Sequence, residues 1–307
     1  MSSSYHGLIL IDKPVGLTSH DVVYHIRKIF KTKEVGHSGT LDPLASGLMV
    51  VLLGEATKLS PYITDGDKGY EVEFRLGFET DTLDVTGKCV AEKAVVVERS
   101  QVIDFALKAN QEFELPIPMY SAKKIDGKKL YEYARENIQI EVPTKKMNFW
   151  NIQNLSQEND FKFSLECSKG SFIRSWVKFV GEQSGELATM TALRRFKSDR
   201  FFLKDAIELD ELKQVEEKKL SEYLVPLEKA LGTVKSLKVS GKDETLMRNG
   251  QISHDLRSRL IIEFDPAKDE YVQILSSQGL LMAVLGLEPY VGFKIKRIFN
   301  SPSDLAK

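Results

Sequence analysis

Between Tyr70 and Leu76 polar and apolar residues alternate (Tyr70-Glu71-Val72-Glu73-Phe74-Arg75-Leu76), and Phe161 to Cys167 repeats the pattern. A period of two puts alternate side chains on opposite faces of a strand, so both segments are expected to be half-buried strands. Strands of this kind suit an antiparallel sheet with one face covered, and helices expected at 101–109 and 175–183 supply the cover. The fold class that follows is α+β: a mixed, mainly antiparallel sheet flanked by helices. A chain of 307 residues has material for about two such bodies.

Leu8 to Ile11 is continuously apolar and ends in the turn residues Asp12-Lys13-Pro14-Val15-Gly16, which predicts a short buried strand. A helix is expected next, with Thr18 and Asp21 at capping-box spacing and Val22, Val23, Ile26, Ile29 and Phe30 forming its apolar stripe. It leads into Gly36-His37-Ser38-Gly39-Thr40-Leu41-Asp42-Pro43-Leu44-Ala45-Ser46-Gly47-Leu48, a loop dense in glycine with a single carboxylate, followed by the apolar run Met49 to Leu53. Glycines permit close approach of a ligand or positive φ, Asp-Pro favours a turn, and the strand behind gives rigid support. The pattern points to a site built around Asp42. Glu55 to Ile63 is expected to be a short helix.

Beyond about residue 232 short strands are expected at Leu260 to Phe264, Tyr271 to Leu275, Leu280 to Gly286 and Phe293 to Phe299, with a hairpin at Ser276 to Gly279. They suggest a small second domain of barrel type, reached through an acidic, helix-like stretch at 208–230. The expected division is 1–232 and 233–307. No apolar run approaches the roughly 20 residues of a membrane helix, and the amino end lacks the order of a secretion signal, so the cytoplasm is the expected compartment. Cys89 and Cys167 lie far apart with no partner at ligand spacing, so reduced thiols and no structural metal are expected. The net charge of −1 argues against a protein coated in basic surface. Basic residues nevertheless gather at Arg27 to Lys33, Lys123 to Lys129, Arg194 to Arg200 and Lys294 to Arg297, and such a polarised chain could track phosphates with one face. Any one of these runs, taken alone, reads as a solvated surface.

Gly36 to Leu48 resembles the catalytic motif of the TruB family of tRNA pseudouridine synthases, and other segments fit in order. Lys68-Gly69-Tyr70 looks like the family's K-x-Y segment. Pro118 to Lys123 and Gly127 to Arg135 resemble two further family segments, Cys167 to Ser175 resembles C-x-x-G-T-Y-I-R, and Leu193-Arg194-Arg195 also fits. The resemblance implies a pseudouridine synthase-like catalytic domain followed by a PUA-type RNA-binding barrel, with tRNA as substrate, no cofactor and a monomeric state. It implies catalytic roles for Asp42, for Tyr70 as the ring stacked on the target base, and for Arg174 as the partner of Asp42. Substrate-binding roles are expected for His37, Gly39, Thr40, Lys68, Tyr120, Lys123 and Leu193. Phe172 stands where the family usually has tyrosine.

The chemistry agrees with these residue types. Converting uridine to pseudouridine breaks the N1–C1′ bond and joins C5 to C1′ without a redox step, so a carboxylate beside the sugar or base is the group required. Two other readings share the scaffold or the carboxylate. A non-catalytic RNA-binding protein would not depend on Asp42, and a nucleoside or glycoside hydrolase would release free uracil.

Overall fold

The computed structural model describes residues 5–300 except 65, 122, 137, 139, 158, 159 and 233. In β1 (Gly7–Lys13) Leu8 and Leu10 point to one face and Ile9 and Ile11 to the other, and both faces are covered. After it, α1 (Ser19–Ile29) and the short β2 (Val35–His37) lead to β3 (Ser46–Leu53), which pairs antiparallel with β1. Leu48, Val50 and Leu52 of β3 join Leu8 and Leu10 in one core, whereas Met49, Val51 and Leu53 pack with Val22, Val23 and Ile26 of α1. Burial on two faces is why these strands read as unbroken apolar runs. Each such side chain removed from water contributes about 1.5–3 kcal/mol. The expected capping box is present: Asp21 N donates to Thr18 Oγ1 at 3.1 Å and Thr18 N donates to Asp21 Oδ2 at 2.8 Å.

The main sheet runs Ile207–Glu208, β1, β3, Ala188–Ser198, β4 (Lys68–Leu76), Phe161–Cys167, Thr144–Asn154 and Glu112–Pro116. Most pairs are antiparallel; β1 with Ile207–Glu208 and β3 with Ala188–Ser198 are parallel. The sheet is mixed, as the alternation implied. Val72 and Phe74 of β4 face a core with Phe163, Leu165 and Trp176, where helices Arg99–Lys108 and Ile173–Gln183 pack. Glu71 and Glu73, on the other face, hold Lys162 at 3.2 and 3.3 Å.

Four expectations need correction. Glu55 to Ile63 is a 3₁₀ segment, Gly54–Leu59, followed by one α turn, Ser60–Ile63, with Pro61 at its start. The stretch 208–230 breaks into Leu209–Leu212, the 3₁₀ segment Glu217–Tyr223 and Leu227–Ala230. Leu260 to Phe264 is not a strand: it lies at the end of helix His254–Glu263, whose N-cap Ser253 accepts from Leu256 N at 2.9 Å. The carboxyl-terminal strands form an open sheet rather than a closed barrel, in the order Lys235–Lys238, Tyr271–Leu275, Leu281–Glu288 and Gly292–Ile298. The hairpin at Ser276 to Gly279 is as expected, closed by Ser276 N to Leu280 O at 2.8 Å.

This sheet docks on the outer face of β1 and β3 through Leu281, Val284 and Phe299. Tyr62 meets Tyr271 edge to face at 4.9 Å, and Glu55 accepts from Asn300 N at 2.8 Å. Both cysteines are free thiols, Cys89 exposed and Cys167 buried, and burial pushes the Cys167 thiol up to about 12. No helix among the described residues is long and apolar enough to cross a membrane.

Candidate active site

The loop after β2 is tied down almost residue by residue. Ser19 Oγ accepts from Leu41 N at 2.8 Å and donates to Leu41 O at 3.1 Å, and Gly16 N reaches Pro43 O at 2.8 Å. Asp42 O accepts from Ala45 N at 3.0 Å, the turn that Asp-Pro foretold. From the neighbouring strand the fully buried Arg195 donates to Gly39 O, Thr40 O and Leu48 O at 3.2, 3.3 and 2.7 Å. Gly47 makes that approach possible: its φ is +100°, and a Cβ there would lie 2.4 Å from Arg195 O. The carboxylate of Asp42 therefore stands on a rigid loop, 39% exposed.

Arg174 approaches from the first turn of helix Ile173–Gln183, behind the buried Cys167 strand end. Its guanidinium is 6% exposed and lies 3.0 Å from Asp42 Oδ2 and 3.4 Å from Asp84 Oδ2. It also donates to Thr82 O at 2.8 Å and to Tyr120 O at 3.0 Å. A buried guanidinium is costly unless its donors are satisfied, and here two carboxylates and two carbonyls do so. The arrangement fixes the direction of Asp42. Asp84 was not singled out from the sequence. Its other oxygen accepts from Thr82 Oγ1 at 2.9 Å and Thr86 N at 3.0 Å, an Asx turn whose Thr-x-Asp-x-Thr pattern was readable.

Asp42 and Arg174 line one cavity of about 520 Å³, within the range of small-ligand pockets. Tyr70, Leu193, Lys68 and Phe172 form its inner wall, and Gly39, Thr40, Tyr120 and Lys123 lie round it. Tyr70 is buried on β4 opposite Arg195, and burial pushes its phenol pKa up, so the ring stays neutral at pH 7. Burial likewise pushes Lys68 down to about 8, against the pull of Asp199 and Asp67. Lys13, also buried, donates to Pro14 O and Leu17 O at 2.9 and 2.7 Å; its pKa falls to about 8 through burial, with Asp42 opposing.

His37 lies outside the cavity wall. Its Nδ1 accepts from Gly39 N at 3.3 Å, and burial, then His20 and Arg195, lower its pKa. Two basic residues with no site role expected from the sequence, Arg195 and Lys145, also line the cavity. Several members of the basic runs pair with acids: Arg194 with Asp12 at 2.6 Å, Arg200 with Asp199 at 3.2 Å, and Lys294 and Lys296 with Glu288 at 2.8 and 2.6 Å. Lys128 pairs with Glu136 and Lys197 with Glu166. In the Pro118 to Lys123 segment, Ala122 lies outside the described residues.

Comparison with known proteins places these observations. Residues 27–173 match the TruB family pseudouridylate synthase N-terminal domain, and 174–232 match the tRNA pseudouridylate synthase B C-terminal domain. The tRNA pseudouridine synthase B of Bdellovibrio bacteriovorus is 46% identical over 302 residues, 97% of this chain and 98% of the relative. That of Bacillus subtilis is 40% identical over 258 residues, covering 80% and 83%. Among solved structures, a Cbf5-Nop10-Gar1 complex superposes with a TM-score of 0.70 at 21% identity, over 98% of this chain and 87% of that one, a likeness of fold. Sheet, carboxylate loop and cavity together are those of a pseudouridine synthase. Within that class, the chain belongs to the TruB family.

Proposed function

We propose that this protein isomerises uridine 55 in the T loop of tRNA to pseudouridine. The observation that carries the reading is Asp42, held 3.0 Å from Arg174 at the wall of a cavity that also presents Tyr70 and Leu193. The N1–C1′ bond breaks, the freed uracil turns, C5 joins C1′, and the C5 proton leaves while N1 takes one up. Attack at C1′, addition at C6 and removal of a sugar proton all require a carboxylate held in a fixed direction, and the Arg174 contact directs Asp42. Tyr70 stacks on the base through its rotation, and Leu193 keeps water from the far side. Extruding the base costs a few kcal/mol, roughly, which contacts of the surrounding residues offset. Gly39, Thr40, Lys68, Tyr120 and Lys123 contact the nucleotide or its backbone, and His37 acts through the Gly39 loop.

The reading assigns 1–232 to catalysis and 233–307 to a PUA-like RNA-binding role, in a cytoplasmic monomer that needs no cofactor. An unmodified tRNA transcript carrying tritium at uracil C5 tests it. Tritium release mapping to position 55 is expected with the wild type and none with Asp42→Asn that is folded and binds tRNA. Free uracil as product, or an Asp42→Asn protein as fast as its parent, would overturn the assignment.

A further inference from the structure

Lys145 sits on strand Thr144–Asn154, where the period of two places it on the same face as Met147 and Phe149. Those two side chains are fully buried in the main core, so Lys145 lies where that core gives way to the cavity, and it is part of the cavity wall. Its neighbour Lys146 points the other way and pairs with Glu112 at 3.1 Å. The ammonium of Lys145 donates to Gly170 O at 2.9 Å and Lys169 O at 3.3 Å, and among the described residues no carboxylate pairs with it. Burial, then the charges of Lys123 and Lys169, lower its pKa, and Lys123 lines the same cavity. Gly170 leaves the space the Lys145 ammonium uses: its φ is +69°, and a Cβ there would lie 2.3 Å from Lys145 Nζ.

A half-buried lysine in the cavity wall, held only by carbonyls and sharing that cavity with Lys123, is a cation with a place for an anion. We infer that Lys145, with Lys123, forms a phosphate site that grips a backbone phosphodiester flanking the extruded uridine. The inference rests on the uridine-isomerising reading and adds the group that holds the strand open. Its benefit is mechanical as well as electrostatic: a base turned out of its stack pulls its flanking phosphates with it, and an ammonium fixed by two carbonyls resists their return. Gly170 and Lys169 supply those carbonyls from the turn that also delivers Phe172 to the cavity, so base and backbone contacts share one support.

The test compares wild type, Lys145→Met and Lys145→Arg, each first shown by thermal unfolding to be folded, on T-arm stem-loops. In these RNAs the phosphodiester on the 5′ or the 3′ side of the target is replaced, one at a time, by an uncharged methylphosphonate. Lys145→Met is expected to raise Kd about 5- to 10-fold and to reduce the slope of log K against log salt by about 0.7–0.9, the share of one phosphate. The neutral linkage on one side should weaken wild type and Lys145→Arg but cost Lys145→Met nothing further. If Lys145→Met matches wild type in Kd and salt slope, or if both linkages weaken it as they weaken wild type, the phosphate site is refuted. A wild type that forms no pseudouridine on the unaltered stem-loop refutes the functional reading itself, and with it this role for Lys145.

Discussion

Asp84→Asn is the sharpest probe of the pairing that directs Asp42. Asparagine keeps the size of the side chain but presents an amide where Arg174 needs an acceptor, or else gives up an acceptor for Thr86 N. Breaking a buried pair by removing one partner costs about 3–5 kcal/mol. Arg174 retains Asp42 and two carbonyls, so the loss here should be lower, about 2 kcal/mol. For a body of this size that corresponds to a melting temperature lower by roughly 4–8 °C. The larger effect is on rate. Freed from one of its two carboxylates, the guanidinium shifts toward Asp42, and a misplacement of about 1 Å costs on the order of 100-fold. Single-turnover tritium release at saturating tRNA, with thermal unfolding in parallel, measures both. A variant within 1 °C of wild type, roughly, and within about twofold in rate would show that Asp84 does not hold Arg174 in place.

Gly47→Ala should be among the most damaging substitutions in the loop, because its Cβ would meet Arg195 O at 2.4 Å and N at 2.8 Å; loss of more than about 3 kcal/mol in denaturant unfolding is expected. Gly39→Ala is the contrast: its Cβ would meet only ordinary contacts, the nearest Arg195 Nη1 at 3.6 Å. That variant should fold normally and show a raised Kd for tRNA, and unfolding comparable to that of Gly47→Ala would refute the distinction. Lys13 and Lys68 titrate near 8 in the folded protein against 10.5 when free, so between those values the native state binds fewer protons than the unfolded chain and stability rises with pH. Below pH 8 both states are protonated and the whole burial penalty is felt; Lys13→Met should flatten the rise between pH 8 and 10.5, and an unchanged slope would show that Lys13 is not the group concerned.

How much of this could be read from residues alone depended on whether a period carried the information. Leu8 to Ile11, the capping box at Thr18 and Asp21, and the alternation in β4 each follow from local geometry, and each lies where expected. Leu260 to Phe264 failed because a short β-branched run fits two periods. The helix uses Leu256 and Leu260 inward at i and i+4 and leaves Ile261 and Ile262 72% and 83% exposed, which no strand pattern foresees. The signal that would have decided it was Ser253, an N-cap three residues before Leu256. The barrel was overcalled for a related reason: strands at tight spacing predict pairing, but whether a sheet closes depends on its edges, and here Lys235–Lys238 and Gly292–Ile298 stay unpaired with each other.

The site shows the same division between local and distant causes. Asp42, Tyr70 and Arg174 could be named from the sequence because each lies within a motif close in sequence, whereas Asp84 and Arg195 acquire meaning only where separate strands and a helix meet. Arg194 and Arg195 illustrate it. Adjacent on a strand, they face opposite ways, one to Asp12 near solvent and the other into the fully buried clamp on the Asp42 loop. A doubled arginine on a strand therefore carries one surface cation and one interior one. Which is which is set by the register of that strand with β3, where Arg195 lies beside Gly47. Sliding that pairing by one residue would put Arg194 in the clamp, separate Arg195 from the loop, and take the support from beneath Asp42.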